Sequence, residues 1–150
     1  MSITLQACDP DSEEARVLVR ELSAALAVIT GDSGASSFSV DDVRVARSLF
    51  ALARDAGGDL LGCAALRPLQ DDVGEVKRMY ARPGTQGVGQ ALLAFVEQEA
   101  RAFGYGALWL STRRVNRRAV AFYERHGYAE VAPYGKYPGR PESICMGKQL

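Results

Sequence analysis

The chain has 150 residues, enough to bury a core as one domain without disulfide or metal staples. Its 18 basic and 18 acidic side chains cancel, so no global field recruits nucleic acid or an anionic membrane, and any anion site must be local. With 47% hydrophobic and 24% charged residues it reads as an ordinary globular composition, with no apolar run near the ~18 residues of a membrane span and no secretory-signal pattern at the N-terminus.

Ile3, Leu5 and Ala7 alternate with polar residues and predict a first strand. Asp9-Pro10 reads as an N-cap with proline at the first helical position, followed by acidic residues at 11, 13 and 14. Ala15, Leu18, Leu22, Leu26 and Ile29 share one face, which predicts a helix from about Pro10 to Ile29. Residues 30–39 (TGDSGASSFS) are a loop by composition. Residues 47–69 read as two strands around a Gly57-Gly58 turn.

Residues 74–81 (GEVKRMYA) are a fourth strand. Strict alternation there puts Val76, Arg78 and Tyr80 on one side and Glu75, Lys77, Met79 and Ala81 on the other. A second helix is expected over 90–103, with Leu92, Phe95, Val96, Ala100 and Phe103 as its apolar stripe and Gly104 as its stop. Residues 107–112 (ALWLST) form a buried strand. Asn116 caps a short helix through His126, closed by Gly127. Residues 128–134 and 143–150 are the last two strands.

The order β-α-β-β-β-α-β-α-β-β implies one α/β (α+β) domain spanning 1–150. Its sheet is mixed and mostly antiparallel, with helices on both faces. Strand 75–81, glycine loop, helix and strand 107–112 make a βαβ crossover, with the helix N-terminus at the C-terminal end of the first strand. Cys8, Cys63 and Cys145 are odd in number and share no CxxC spacing. They read as small apolar residues of a reducing, cytoplasmic compartment, not as a disulfide framework or a zinc site.

Gly84, Gly87 and Gly89 precede the second helix, where propensity alone disfavours glycine. Two readings stand. Bare amides at a helix N-terminus can cradle a phosphate, or the chain needs a tight turn with positive φ. Neither GxxxxGK[ST] nor GxGxxG is present, whereas Gln86-Gly87-Val88-Gly89-Gln90-Ala91 fits [QR]-x-x-G-x-[GA].

With that motif the chain resembles the GCN5-related N-acetyltransferases (GNAT) over nearly its whole length. GEVKRMYARP looks like the family's central strand, and GVGQALLAFVEQEARAFGYGALWLST like its acetyl-CoA loop, helix and following strand. VNRRAVAFYERHGY looks like its next motif. The resemblance implies acetyl-CoA as acyl donor, with its pyrophosphate on the amides of Gln86, Gly87, Val88, Gly89, Gln90 and Ala91. It implies a pantetheine arm along Met79, Tyr80 and Ala81, Asn116 on that arm, and Tyr123 beside the thioester sulfur. Register counted back from Gly104-Tyr105 makes the loop about two residues shorter than the family's usual form.

The implied reaction is direct acetyl transfer to a primary amine of a small molecule or peptide. The alternative is a non-catalytic acyl-CoA-binding or regulatory domain of the same fold. Transfer needs a neutral amine, a stabilised oxyanion and a proton for the thiolate. Tyr123 is the expected acid, against a plain core tyrosine. Glu75 is the expected base acting through water, against an exposed strand-end carboxylate. A backbone N–H near Met79 or Ala81 is the expected oxyanion donor. His126 in the last turn is explained by dipole complementarity.

Arg113, Arg114, Arg117 and Arg118 read as a solvated face, with Arg117 or Arg118 also able to meet a CoA phosphate. Tyr134, Tyr137 and Arg140, together with the 30–39 loop, are expected to border the acceptor pocket. Arg78 and Tyr80 are expected to face it as well, and an arginine there would favour an acceptor bearing a carboxylate. No metal, nucleic-acid or membrane partner is expected, and the chain is expected to act as a monomer or homodimer.

Overall fold

The structure is a computed structural model and describes residues 2–150. Seven strands form one sheet: β1 (Ile3–Cys8), β2 (Leu49–Asp55), β3 (Leu60–Gln70), β4 (Val73–Ala81), β5 (Ala107–Arg113), β6 (Ala129–Glu130) and β7 (Ser143–Gln149). They lie in the order β1-β2-β3-β4-β5-β7-β6. Every pairing is antiparallel except β4 with β5. The helices are α1 (Glu13–Thr30), α2 (Val88–Ala102) and α3 (Arg117–Arg125), with short 3₁₀ turns at Ala35–Ser37 and Val40–Val43.

The helices divide between the two faces because the strands alternate. Phe50, Leu52, Cys63 and Ala65 pack with Ala15 and Leu18 of α1. Leu49, Ala51, Ala53, Ala64, Leu66 and Leu108 pack with Leu92, Leu93 and Val96 of α2 and with Tyr123 of α3. Each fully buried leucine in these layers contributes on the order of 1.5–3 kcal/mol by leaving water.

Three local expectations change. α1 starts three residues later than its Asp-Pro signal, because Ser12 is the cap and accepts from Ala15 N at 3.2 Å. Asp9 instead turns the chain, taking Asp11 N at 2.8 Å. α2 starts at Val88, with Gly87 as its cap. The strand expected over 128–134 shrinks to Ala129–Glu130, and the chain beyond it is loop up to β7.

The β4 alternation also breaks. Cys63 pairs with Tyr80 and Ala65 with Lys77, so Arg78 and Met79 together oppose Ala64 in a β-bulge. Arg78 sits at φ 51°. Past the bulge the side chains switch faces. Met79 joins Val76 in the α2 layer. Arg78 and Tyr80 reach α1 instead, Arg78 through Val19 O and Ser23 Oγ and Tyr80 through Glu21.

β4 and β5 touch only along a short seam: Val73 to Ala107, Gly74 to Leu108 and Glu75 to Trp109. Asp72 O extends it by accepting from Gly106 N at 2.8 Å and Ala107 N at 3.2 Å. Gly74 is wedged there, since a Cβ would stand 2.9 Å from Leu66 Cδ1, 3.0 Å from Tyr105 and 3.1 Å from Leu108. Beyond Glu75 the two parallel strands no longer pair.

Candidate active site

The splay leaves one edge of β4 from Val76 to Ala81 without a sheet neighbour, and this edge lines a cleft of about 1010 Å³. Leu110 to Arg113 of β5 form the facing wall. The N-terminus of α2, one side of α3, the end of α1, and the 34–38 and 136–140 loops complete it. Unpaired backbone polar groups in such a place need a partner, because buried N–H and C=O groups are costly when left alone.

The three glycines before α2 serve different purposes. Gly84 and Gly87 have φ of 82° and 73°, with open space where a Cβ would stand, so the turn itself requires them. Gly89 is a packing position: a Cβ there would lie 3.3 Å from Cε1 and Cζ of Phe122. It lets α3 close against the first turn of α2. The first intrahelical bond runs from Ala91 N to Gly87 O at 3.0 Å. The N–H groups of Val88, Gly89 and Gln90 have no backbone acceptor among the described residues and lie at the cleft. Gly87, Val88, Gly89 and Gln90 line the cleft, whereas Gln86 and Ala91 flank it without lining it.

α3 brings the next group of expected residues into the same space. Asn116 caps it, its Oδ1 accepting from Ala119 N at 3.3 Å, and its side chain borders the cleft. Tyr123 is buried, packed edge-on between Phe122 and Tyr128 with ring centroids at 5.1 and 5.6 Å, and also borders the cleft. Burial pushes its phenol above the ordinary 10, so it stays protonated at neutral pH. Its hydroxyl has no hydrogen-bond partner among the described residues. His126 lies tilted against Phe122, ring centroids 4.7 Å apart, and reaches the cleft too. Of the α3 arginines, Arg118 and Arg125 line the cleft and Arg117 does not.

Arg78 lines the cleft but is already committed to the α1 side. Its guanidinium donates to Val19 O and Ser33 O, each at 3.2 Å, and to Ser23 Oγ, while Nε is buried without a partner. Burial lowers its pKa. Tyr80 donates to Glu21 Oε1 at 3.0 Å, and burial together with that carboxylate pushes the phenol up to about 12. Glu21 also holds Arg82 through two contacts of 2.7 and 2.9 Å.

Glu75 is neither exposed nor in the cleft. It is 1% exposed, and its carboxylate accepts from Arg67 Nε at 2.7 Å and Tyr134 Oη at 2.6 Å, with Lys77 Nζ at 3.5 Å. It lines an adjoining cavity of about 350 Å³ together with Tyr134. Burial first, then the Glu75 charge, raises the Tyr134 pKa. Lys77 and Tyr137 border both cavities, and Lys77 Nζ donates to Tyr137 Oη at 3.3 Å. The structure thus gathers Met79, Tyr80, Ala81, Asn116 and Tyr123 around one cleft, which Arg78 and Tyr137 also line. Glu75 and Tyr134 stand one cavity behind.

Lys77 and Lys136 were not singled out from sequence, yet both line the cleft. Nothing in the sequence marked them, because the ion-paired patch at the start of β4, Glu75 with Arg67 and Lys77, forms only in the folded sheet. Among the described residues no group of three or more metal-ligating side chains occurs. No described helix is long and apolar enough to cross a membrane.

Comparison with known proteins gives a consistent result. Residues 21–128 match the model of the acetyltransferase (GNAT) family. An IAA acetyltransferase of Azospirillum brasilense is 38% identical over 104 residues, 67% of this chain and 67% of its own length. The structure of a protein assigned as an acyl-CoA N-acyltransferase from Klebsiella pneumoniae superposes with a TM-score of 0.83 at 27% identity, covering 99% of this chain and 97% of that one. A PaiA N-acetyltransferase from Thermoplasma acidophilum, solved in complex with coenzyme A, gives a TM-score of 0.74 at 18% identity over 100% of both chains.

Proposed function

Because this chain belongs to the acetyltransferase (GNAT) family, we propose that it transfers an acetyl group from acetyl-CoA directly to a primary amine of a small molecule or peptide. The observation that carries the reading is the convergence of three features on one cleft. These are the splayed β4 edge, the unpartnered amides of Val88 to Gln90, and the Tyr123 phenol. The residues fit an acyl-CoA: helix-end amides and the α3 arginines suit its phosphates, and the open β4 edge suits an amide-bearing arm. The relative solved with coenzyme A supports the same assignment.

When bound, acetyl-CoA supplies an activated acetyl thioester. On this reading Gly87 to Gln90 hold its pyrophosphate, and Met79 to Ala81 pair with its pantetheine arm. Asn116 offers its amide N–H groups, since its oxygen is engaged in capping α3. A backbone N–H near Met79 or Ala81 stabilises the developing oxyanion. Tyr123 keeps its proton until the thiolate leaves and then donates it. Glu75 receives the amine proton through water in the adjoining cavity, without touching the amine. Tyr137 shapes the acceptor side, with Arg78 lining its wall while bound to α1 and Tyr134 set one cavity behind. We assign the 150 residues to one catalytic domain working in the cytoplasm, which suits its unpaired cysteines.

The test is thermal shift with acetyl-CoA followed by thiol release over an amine panel. Stabilisation by acetyl-CoA and amine-dependent release are expected. Stabilisation without release for any amine would instead mark a non-catalytic acyl-CoA-binding domain, and no stabilisation would overturn the proposal.

A further inference from the structure

The chain as a whole is neutral, yet the cleft is not. Its lining carries eight lysine and arginine side chains against one carboxylate, Asp32. Most of these cations are already accounted for. Arg113 holds Asp32 at 2.9 Å, and Arg82 holds Glu21 at 2.7 Å. Arg78 is spent on α1 and Ser33, and Lys77 shares Glu75 with Arg67. Arg118 and Arg125 lie on α3, at the end proposed to take the donor's phosphates. Lys136 and Arg140 remain. Neither has a carboxylate within ion-pair distance among the described residues, and both sit in the loop between β6 and β7, at the acceptor end.

Lys136 also reaches across the mouth to Ser37 Oγ and lies 5.8 Å from the Tyr137 ring centre. The 34–38 and 136–140 loops therefore meet at Lys136, and Arg140 follows in the same turn, its N–H donating to Tyr137 O at 3.0 Å. An acceptor carrying only positive charge would be repelled here. An acceptor with an acid group would be attracted, and the guanidinium of Arg140 can grip a carboxylate or phosphate by two parallel hydrogen bonds. The same positive field disfavours the ammonium form of a nearby amine and so raises the fraction able to attack.

Resting on the acetyltransferase reading above, we propose that the acceptor is an amine that also bears an acid group, and that Lys136 and Arg140 bind that group at the cleft mouth. The class is therefore an amino acid, a peptide with a nearby carboxylate, or an aminoalkyl phosphate, and not a polyamine. Both side chains are exposed, so the selection weakens as salt screens it.

The experiment measures kcat/KM for amines paired with neutral twins: an amino acid against its carboxamide, an aminoalkyl phosphate against the amino alcohol, and a polyamine as the opposite charge. At least one acid member should exceed its twin by about tenfold or more, and that ratio should fall toward one in the K136A/R140A double variant and in high salt. The KM for acetyl-CoA should stay unchanged in that variant. The carboxylate and phosphate arms tell the two acid groups apart. Equal or better turnover of the neutral twins or the polyamine overturns the proposal, as does a preference that survives the double substitution. Turnover of no acid-bearing amine by a protein that acetyl-CoA still stabilises overturns it too. The wider reading fails on a different readout, the absence of any response to acetyl-CoA.

Discussion

Replacing Gly89 by alanine isolates what this glycine does. Unlike Gly84 and Gly87 it has no positive φ, so no backbone strain is introduced. On propensity alone, the change should stabilise a helix by up to ~1 kcal/mol. The added methyl, however, would stand 3.3 Å from Phe122 Cε1 and Cζ, and that ring, held between Tyr123 and His126, has to give by a few tenths of an ångström, at a cost of about 1–2 kcal/mol. The packing term outweighs the propensity term, so G89A should lower the midpoint of urea unfolding. In an F122L background, which removes the ring atoms that clash, the same substitution should become neutral or stabilising. The coupling between the two sites should be about 1 kcal/mol or more, read from the four chevron or equilibrium curves of a double-mutant cycle. G89A should also weaken acetyl-CoA binding about 10- to 100-fold, the effect of misplacing one charge-assisted hydrogen bond worth ~1.5–3 kcal/mol. Stabilisation by G89A in the wild-type background, or zero coupling with F122L, would refute the packing argument.

Three further outcomes follow from the same contacts. Y123F should leave the melting temperature within ~0.5 kcal/mol equivalent of wild type, because the hydroxyl has no described partner, while kcat falls ~10²- to 10⁴-fold with the KM for acetyl-CoA unchanged. Unaltered turnover would remove Tyr123 from the chemistry. Glu21 has its carboxyl held below the ordinary 4.5, chiefly by the Arg82 hydrogen bond. The unfolded chain therefore takes up the proton first, and the stability that Glu21 contributes is present above about pH 4.5 and lost as pH falls through its lower folded value. E21Q should flatten this part of the acid limb of an unfolding-versus-pH curve, and an unchanged limb would count against the pairing. Burial pushes the Cys63 thiol up to about 12. In the native protein at pH 8 a thiol reagent should find Cys8 first and slowly, and all three cysteines only after denaturation. Prompt labelling of Cys63 would contradict its position in the core.

Element types were legible in the sequence because the apolar periods are long and clean, as in Ala15, Leu18 and Leu22 of α1 or Leu92 and Val96 of α2. Boundaries were less so. Asp9-Pro10 and Ser12 are both acceptable start signals, and Ser12 is the one whose hydroxyl reaches Ala15 N. The bulge at Arg78 and Met79 could not be read, since a period-two pattern carries no mark for one inserted residue. That single residue turned the Arg78 guanidinium onto Val19 O and Ser33 O, so that it lines the cleft without being free in it. Gly87 to Gln90 and Asn116 were legible as neighbours in one site because they sit on local motifs, and they do line the cleft. At the other end of the cleft the 30–39 loop, Tyr137 and Arg140 were named from sequence, but Lys77 and Lys136 were not, because they come from distant parts of the chain and meet only in the folded sheet. Glu75 was legible as a position at the start of β4 but not as a buried ion-paired carboxylate, which depends on Arg67 and Tyr134 arriving beside it.

The seam between β4 and β5 has a mechanical meaning. Two stiff plates, β1 to β4 and β5 with β7 and β6, share three residue pairs at one end and none at the other. Such a joint behaves as a pivot with a long arm. β4 runs six residues past Glu75, about 20 Å at ~3.3 Å per residue, so a tilt of roughly 3° at the seam moves its far end by about 1 Å. A displacement of about that size is enough to cost ~10²-fold in a reaction that depends on alignment. The aperture is thus calibrated at Gly74, wedged between Leu66, Tyr105 and Leu108, and at Gly106 against Asp72. Neither glycine lines the cleft, and a methyl group added to either would act on the reaction as a shim acts on a hinge.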